Sequence, residues 1–272
     1  MRNFILHDPK LLIYGFLIIF FASYGQTFFV ALFNDDIKSY YSLSDGQFGL
    51  LYALATTLSS LLIINFAKMI DYIDLRIYSL LITLGSLAPC FAIYFLPSDI
   101  IFLFIIIFTL RFFGQGAMNH AGITSMTRYF GKNRGKAISV GNLGGMIGVM
   151  FLPFFIVYLS DSFSFRQIWL FCGLSLLFFL PILFFILNNQ FERQEKFKNS
   201  LIEENKQWKT REVIKNKNFL IYLPIASAFS FIGTGLMFHQ IFIFTQKGWT
   251  IEMLGTGFIF LGGFSIFGLL LG

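Results

Sequence analysis

Charge is what this sequence has least of. Only 12% of its 272 residues are Asp, Glu, Lys or Arg, about half the share of an ordinary soluble domain. Hydrophobic residues make up 56%, and the mean hydropathy is +0.73. Together these exclude a water-soluble globular domain and point to a membrane protein. Cysteine is nearly absent. Cys90 and Cys172 both lie inside apolar runs and match no metal spacing, so they read as small packing residues and not as a disulfide framework. The start, MRNFILHDPK, is followed by about 23 apolar residues with no small-residue cleavage site, which reads as a retained first span. The net charge of +6 would suggest nucleic acid in a soluble protein. Here it reports loops facing an anionic membrane surface, and no nucleic-acid partner is expected.

A bilayer core needs about 20 apolar residues in helical form. Eight segments qualify, at 11–33, 47–70, 77–97, 100–127, 137–160, 167–188, 219–246 and 253–272. The connections are short except for 189–218, which carries five acids and eight bases. That stretch is either an amphipathic helix on the membrane face, with Phe197, Leu201, Trp208, Val213 and Ile214 as apolar contacts, or a solvated linker. It divides the chain into residues 1–188 with six spans, the linker 189–218, and residues 219–272 with two. Sixteen Lys and Arg fall on one side of the spans and three on the other. This asymmetry predicts a cytoplasmic N-terminus in an inner or plasma membrane.

All fourteen acids sit in tails, loops or span ends, which leaves Arg111 as the only full charge at depth. It follows the apolar run from Ile100 to Leu110 and stands about 16 Å into the fourth span, near the midplane. Buried polar side chains in a bilayer are costly and face a cavity or a partner. Away from span ends they cluster on every third span: Gln26 on the first, Arg111, Gln115 and Asn119 on the fourth, and His239 and Gln240 on the seventh. At α-helical spacing Arg111, Gln115, Met118, Asn119 and Gly122 share one face, with His120 opposite. Ser23, Gln26 and Thr27 form a smaller stripe. Each amide alone could be an interhelical hydrogen bond. The arginine either meets a structural partner such as a backbone carbonyl at a helix end, handles an exogenous anion, or pairs with a counter-ion in chain missing from this sequence. On the fifth span Gly141, Gly144, Gly145 and Gly148 recur at spacings that let two helices approach closely, and Pro153 could bend the helix.

These residues resemble the major facilitator superfamily. AKMIDYIDLR (67–76) is similar to that superfamily's loop signature after the second span, with Lys68, Asp71 and Arg76 matching; Ala67, Tyr72, Asp74 and Leu75 depart from it. RFFGQG (111–116) resembles the Arg-x-x-x-Gly motif of the fourth span. GQTFFVALF and YSLSDGQFGLLYALAT look like the oxalate/formate and monocarboxylate branch. The resemblance implies an all-α, polytopic membrane helical bundle of the major facilitator fold, with a complete N-terminal six-helix half and the first two helices of the C-terminal half. It implies twelve spans in all, so this chain is expected to be C-terminally truncated. It also implies that Lys68, Asp71 and Arg76 belong to a conformational latch.

The expected function is a secondary active transporter that moves a small solute, an organic anion such as a monocarboxylate, by alternating access. The expected substrate contacts are Arg111, Gln115, Asn119, Gln26, Thr27, His239 and Gln240. A transporter of neutral or amphipathic solutes, of the drug efflux type, is the alternative, and a non-transporting receptor a lesser one. No catalytic residue, metal or cofactor is expected, and the partners are a small-molecule substrate, the lipid bilayer and a coupled proton, for which His239 is the candidate. The two intraspan histidines lack the acid or nucleophile an enzyme would need.

Overall fold

The computed structural model describes residues 8–188, 190–203 and 210–271. Among them there are helices and turns but no strand. Seven helices are long and apolar enough to cross a membrane: Asp45–Asp71, Leu75–Phe95, Ile100–Tyr129, Gly131–Ser160, Phe165–Ile186, Lys217–Phe238 and Ile251–Leu269. A bent pair, Pro9–Gly25 with Thr27–Tyr41, makes the eighth crossing when taken as one span, and bends by 47°. The all-α polytopic bundle read from the sequence is the observed architecture.

Local signals set the ends of these helices. Ser44 and Gln47 close a reciprocal capping box at the start of the second span, and Ser164 and Gln167 repeat it at the sixth. Asp8 and Asp99 accept backbone N–H bonds at the starts of the first and fourth spans. Pro153 lies inside an unbroken helix, Arg134–Ser160. Along the second span Leu50, Leu54 and Leu61 are exposed, whereas Phe48, Tyr52 and Ala55 are buried. Apolar groups point outward because lipid, not water, is their solvent.

Two boundaries differ from the sequence reading. The first span, expected at 11–33, runs through a break at Gln26 and continues to Tyr41. The seventh, expected at 219–246, stops at Phe238, and Gln240–Gln246 forms a separate helix. Hydropathy integrates over about 19 residues and cannot resolve a break whose flanks are both apolar.

The glycines of the fifth span do pack against the first. A Cβ on Gly144 would collide with the Phe16 carbonyl oxygen, and one on Gly148 with the Ser23 hydroxyl. Gly141 and Gly145 face Ile19, where the Cβ would stand 3.1 and 3.2 Å from side-chain carbons. Gly25 makes a second close crossing, against the backbone of Leu110, Gly114 and Gln115 in the fourth span. No spacing pattern announces Gly25.

The linker stretch contains the helix Gln190–Glu203, and that helix docks on the bundle. Arg193 binds both carboxylate oxygens of Asp8 at 2.6 and 2.8 Å. Gln190 donates to the Tyr129 hydroxyl at 2.9 Å. Phe197 packs on the Tyr129 ring at 5.9 Å. Of the apolar contacts expected here, the Leu201 side chain and Trp208 lie outside the described residues.

Candidate functional site: a polar cavity at a broken helix

The site begins with the break in the first span. Gln26 leaves helical geometry at φ −76°, ψ 150°. The amides of Phe29 and Val30 then turn to the Gln26 carbonyl. This leaves the Gly25 carbonyl without the backbone donor that an unbroken helix would supply at Phe29. Arg111 supplies one instead. Its Nη1 donates to the Gly25 oxygen at 3.0 Å and to Thr27 Oγ1 at 3.0 Å. The Tyr52 hydroxyl donates to the same Thr27 oxygen at 3.1 Å, and the Tyr52 ring lies 5.2 Å from the guanidinium carbon. Arg111 is only 3% exposed, and its Nε has no partner. Among the described residues it makes no ion pair.

Around that arginine lies an open cavity of about 380 Å³. Gln26, Arg111, Gln115 and Asn119 all line it, so four of the expected contacts meet in one place. The second span adds Thr56, Ser59 and Ser60. Hydroxyl residues are common on apolar helices, so these three do not stand out in the sequence as amides, histidines and charges do. The signal was present: Tyr52, Thr56, Ser59 and Ile63 recur at helical spacing.

The fourth span also corrects the expected stripe. Leu110–Met118 is a π-helical segment, and each π turn holds about one residue more than an α turn. The phase therefore slips after Gln115. Met118 turns away to accept from the Ser86 hydroxyl at 3.1 Å, and Gly122 packs on Ile18 and Ile19. His120 is half-buried and shares a hydrogen bond with Thr124.

Three expected contacts lie elsewhere. Thr27 is buried and engaged by Arg111 and Tyr52, as a bracket behind the cavity wall. Gln240 donates to the Phe28 carbonyl at 2.9 Å. His239 lines a separate cavity of about 180 Å³ with Asn34, Asp35, Lys38 and Asp45. The titratable group considered for a coupled proton is therefore set apart from Arg111.

Gln240 belongs to a reciprocal clasp. Asn34 of the first span donates to the Phe238 carbonyl at 2.8 Å, where the seventh span ends. Gln240 returns the bond to the first span, so each broken helix satisfies a carbonyl of the other. Phe238 packs on Phe48 at 5.8 Å and on Tyr52 at 4.7 Å. The clasp ties the two spans together next to the cavity lined by Lys38 and Asp45, and the cavity beside Arg111 is lined by other residues of the first and second spans and by the fourth. Gln240→Leu should cost about 1–3 kcal/mol, because it strands a buried carbonyl, and Asn34→Leu towards the low end of that range, because the Phe238 carbonyl is part-buried. In a double-mutant cycle read by thermal melting, the two should couple by at least about 0.5 kcal/mol. Simple additivity would show that they do not close as one unit.

The residues matching the loop signature do not pair with one another. Asp71 forms its ion pair with Arg128, at the end of the fourth span. Lys68 donates to Asn65 at 3.0 Å. The Arg76 guanidinium lies 3.2 Å from the centre of the Phe184 ring. Asp71 and Arg128 stand 57 residues apart in the chain, so only the tertiary fold brings the pair together.

A helical bundle of this length and hydropathy, with a buried cation beside a polar cavity and two broken helices tied to each other, defines a polytopic membrane protein. The sequence profile of the Major Facilitator Superfamily matches residues 15–272, and the chain belongs to that superfamily of membrane transporters. No curated protein and no solved structure matches.

Proposed function

We propose that this chain works as a secondary active transporter for a small organic anion of the monocarboxylate type, moved by alternating access. The observation that carries this reading is the unpaired cation. Arg111 is buried beside a cavity, no acid balances it among the described residues, and its Nε remains without a partner. Holding such a charge in a low-dielectric site costs several kcal/mol unless an anion joins it. Gln26, Gln115 and Asn119 offer amide donors beside it. On this reading residues 1–188 form one half of the transporter and 219–272 begin the other, joined by 189–218. The N-terminus is cytoplasmic, so the clasp lies towards the outer face.

The alternative is a transporter of neutral or amphipathic solutes. It is favoured by the two bonds from Arg111 to Gly25 and Thr27, which would give the arginine a purely structural task. Calorimetric titration of the purified chain in lipid nanodiscs with propanoate and butanoate, and with propanamide and butanamide, separates the two. The acids should bind saturably and the amides at least about 100-fold more weakly, the worth of two charge-assisted hydrogen bonds. Equal binding of acids and amides would transfer support to the neutral-solute reading.

A further inference from the structure

The second-span wall of the cavity carries a chemistry that an anion handle alone does not require. Hydroxyls on transmembrane helices ordinarily bond back to a carbonyl of the preceding turn. Ser125, Thr127, Ser139, Ser160, Thr245 and Ser265 all do so here. Thr56 does not. Its Oγ1 is buried and has no hydrogen-bond partner, yet the residue lines the same cavity as Arg111. Three residues on, Ser59 is 4% exposed and lines that cavity too. Ser60, beside it, spends its proton on the Thr57 carbonyl at 2.8 Å and keeps its lone pairs as acceptors. Two residues of the cavity lining thus each carry an unsatisfied buried group, of different kinds: a cationic donor, Arg111 Nε, and a neutral hydroxyl, Thr56 Oγ1.

We propose that these two groups read two ends of one ligand, and that the transported anion is a small carboxylate bearing a hydroxyl group. The inference rests on the organic-anion reading and narrows it. The carboxylate meets Arg111 and its neighbouring amides. The ligand hydroxyl meets the second-span hydroxyls, which both donate and accept. A dicarboxylate is the competing ligand, and charge decides against it. One guanidinium balances one carboxylate, and a second would enter the cavity with no cation among its lining residues. At about 380 Å³ the cavity accommodates acids of several carbons with more than one hydroxyl.

The test compares matched pairs on the full chain in lipid nanodiscs, by calorimetric titration: lactate against propanoate, and 3-hydroxybutanoate against butanoate. At least one hydroxy acid should bind about tenfold or more tightly than its partner, because a site built around a hydroxyl leaves its own polar groups unpaired when the ligand lacks one. Thr56→Val keeps the side-chain shape and removes only the hydroxyl. It should bring the pair to within about twofold, chiefly by weakening the hydroxy acid. Should both pairs bind alike in the unaltered protein, the hydroxyl subsite is overturned and the anion reading stands. Preserved discrimination in Thr56→Val, Ser59→Ala and the double variant, with melting temperatures unchanged, would overturn the assignment to this wall. Binding of succinate at least as tight as that of either hydroxy acid would overturn the choice of ligand. If no acid binds while propanamide does, the anion reading falls and this inference falls with it.

Discussion

Arg111→Met is expected to abolish saturable binding of carboxylates while leaving the folded chain nearly as stable as before. The two halves of this result have separate causes. A guanidinium–carboxylate pair with two charge-assisted hydrogen bonds contributes about 3 kcal/mol or more, so its loss should weaken binding at least about 100-fold. Stability responds differently. The substitution strands the Gly25 carbonyl, which Arg111 holds at 3.0 Å, at a cost of about 1–3 kcal/mol. It also removes a buried charge whose desolvation opposes folding by several kcal/mol. These effects oppose each other, so the melting temperature without ligand should move by no more than about 5 °C. Arg111→Lys keeps the charge and gives up the planar fork, and should bind about tenfold more weakly than the unaltered protein. A steep fall in melting temperature with carboxylate binding intact would show that Arg111 is a splint for the broken first span and nothing more. Nanodisc titration and melting on the same preparations read both quantities.

The second large effect is on folding. Gly25→Ala and Gly144→Ala should each destabilise the bundle by about 3 kcal/mol or more, whereas Gly145→Ala should cost less than about 1 kcal/mol. All three add one methyl group. What differs is what the methyl meets. At Gly25 it would stand 2.5 Å from the Gln115 amide nitrogen and 2.9 Å from the Gly114 Cα, and collide with the Leu110 carbonyl oxygen. At Gly144 it would collide with the Phe16 carbonyl oxygen. Backbone cannot step aside without moving a whole span. At Gly145 the neighbour is the Ile19 Cγ2 at 3.2 Å, a side-chain atom that shifts by a few tenths of an ångström. Melting curves of the three variants in one lipid mixture should separate the first two from the third. Equal melting of all three would mean that the first span moves freely against the fourth and fifth.

Gly25 and Gly144 also mark where sequence reading ends. Gly144 was legible because it repeats with Gly141, Gly145 and Gly148, and a small-residue stripe on an apolar helix has one dominant use. Gly25 stands alone, and its importance comes from the fourth span's backbone, 85 to 90 residues away in the chain. The same division runs through the site. Arg111, Gln115, Asn119 and Gln26 could be named from the sequence because a polar side chain in a long apolar run is improbable without a task. Their convergence on one cavity follows from a four-residue recurrence, which the π segment keeps for Arg111, Gln115 and Asn119 while turning Met118 and, further on, Gly122 off the wall.

By itself, then, the sequence determined that this protein lies in a membrane, that its spans are helical, and that one buried cation near mid-depth needs an account. Each of those follows from transfer free energies that a side chain carries wherever the fold places it. Only the tertiary structure decided that Thr27 is engaged by Arg111 and Tyr52 behind the cavity wall, that Asp71 pairs with Arg128, and that Asn34 and Gln240 exchange bonds between two broken helices. Those outcomes depend on which backbone carbonyls a helix break sets free and which donors the packing brings within 3 Å, and apolar flanks on both sides of a break conceal it from any reading of composition.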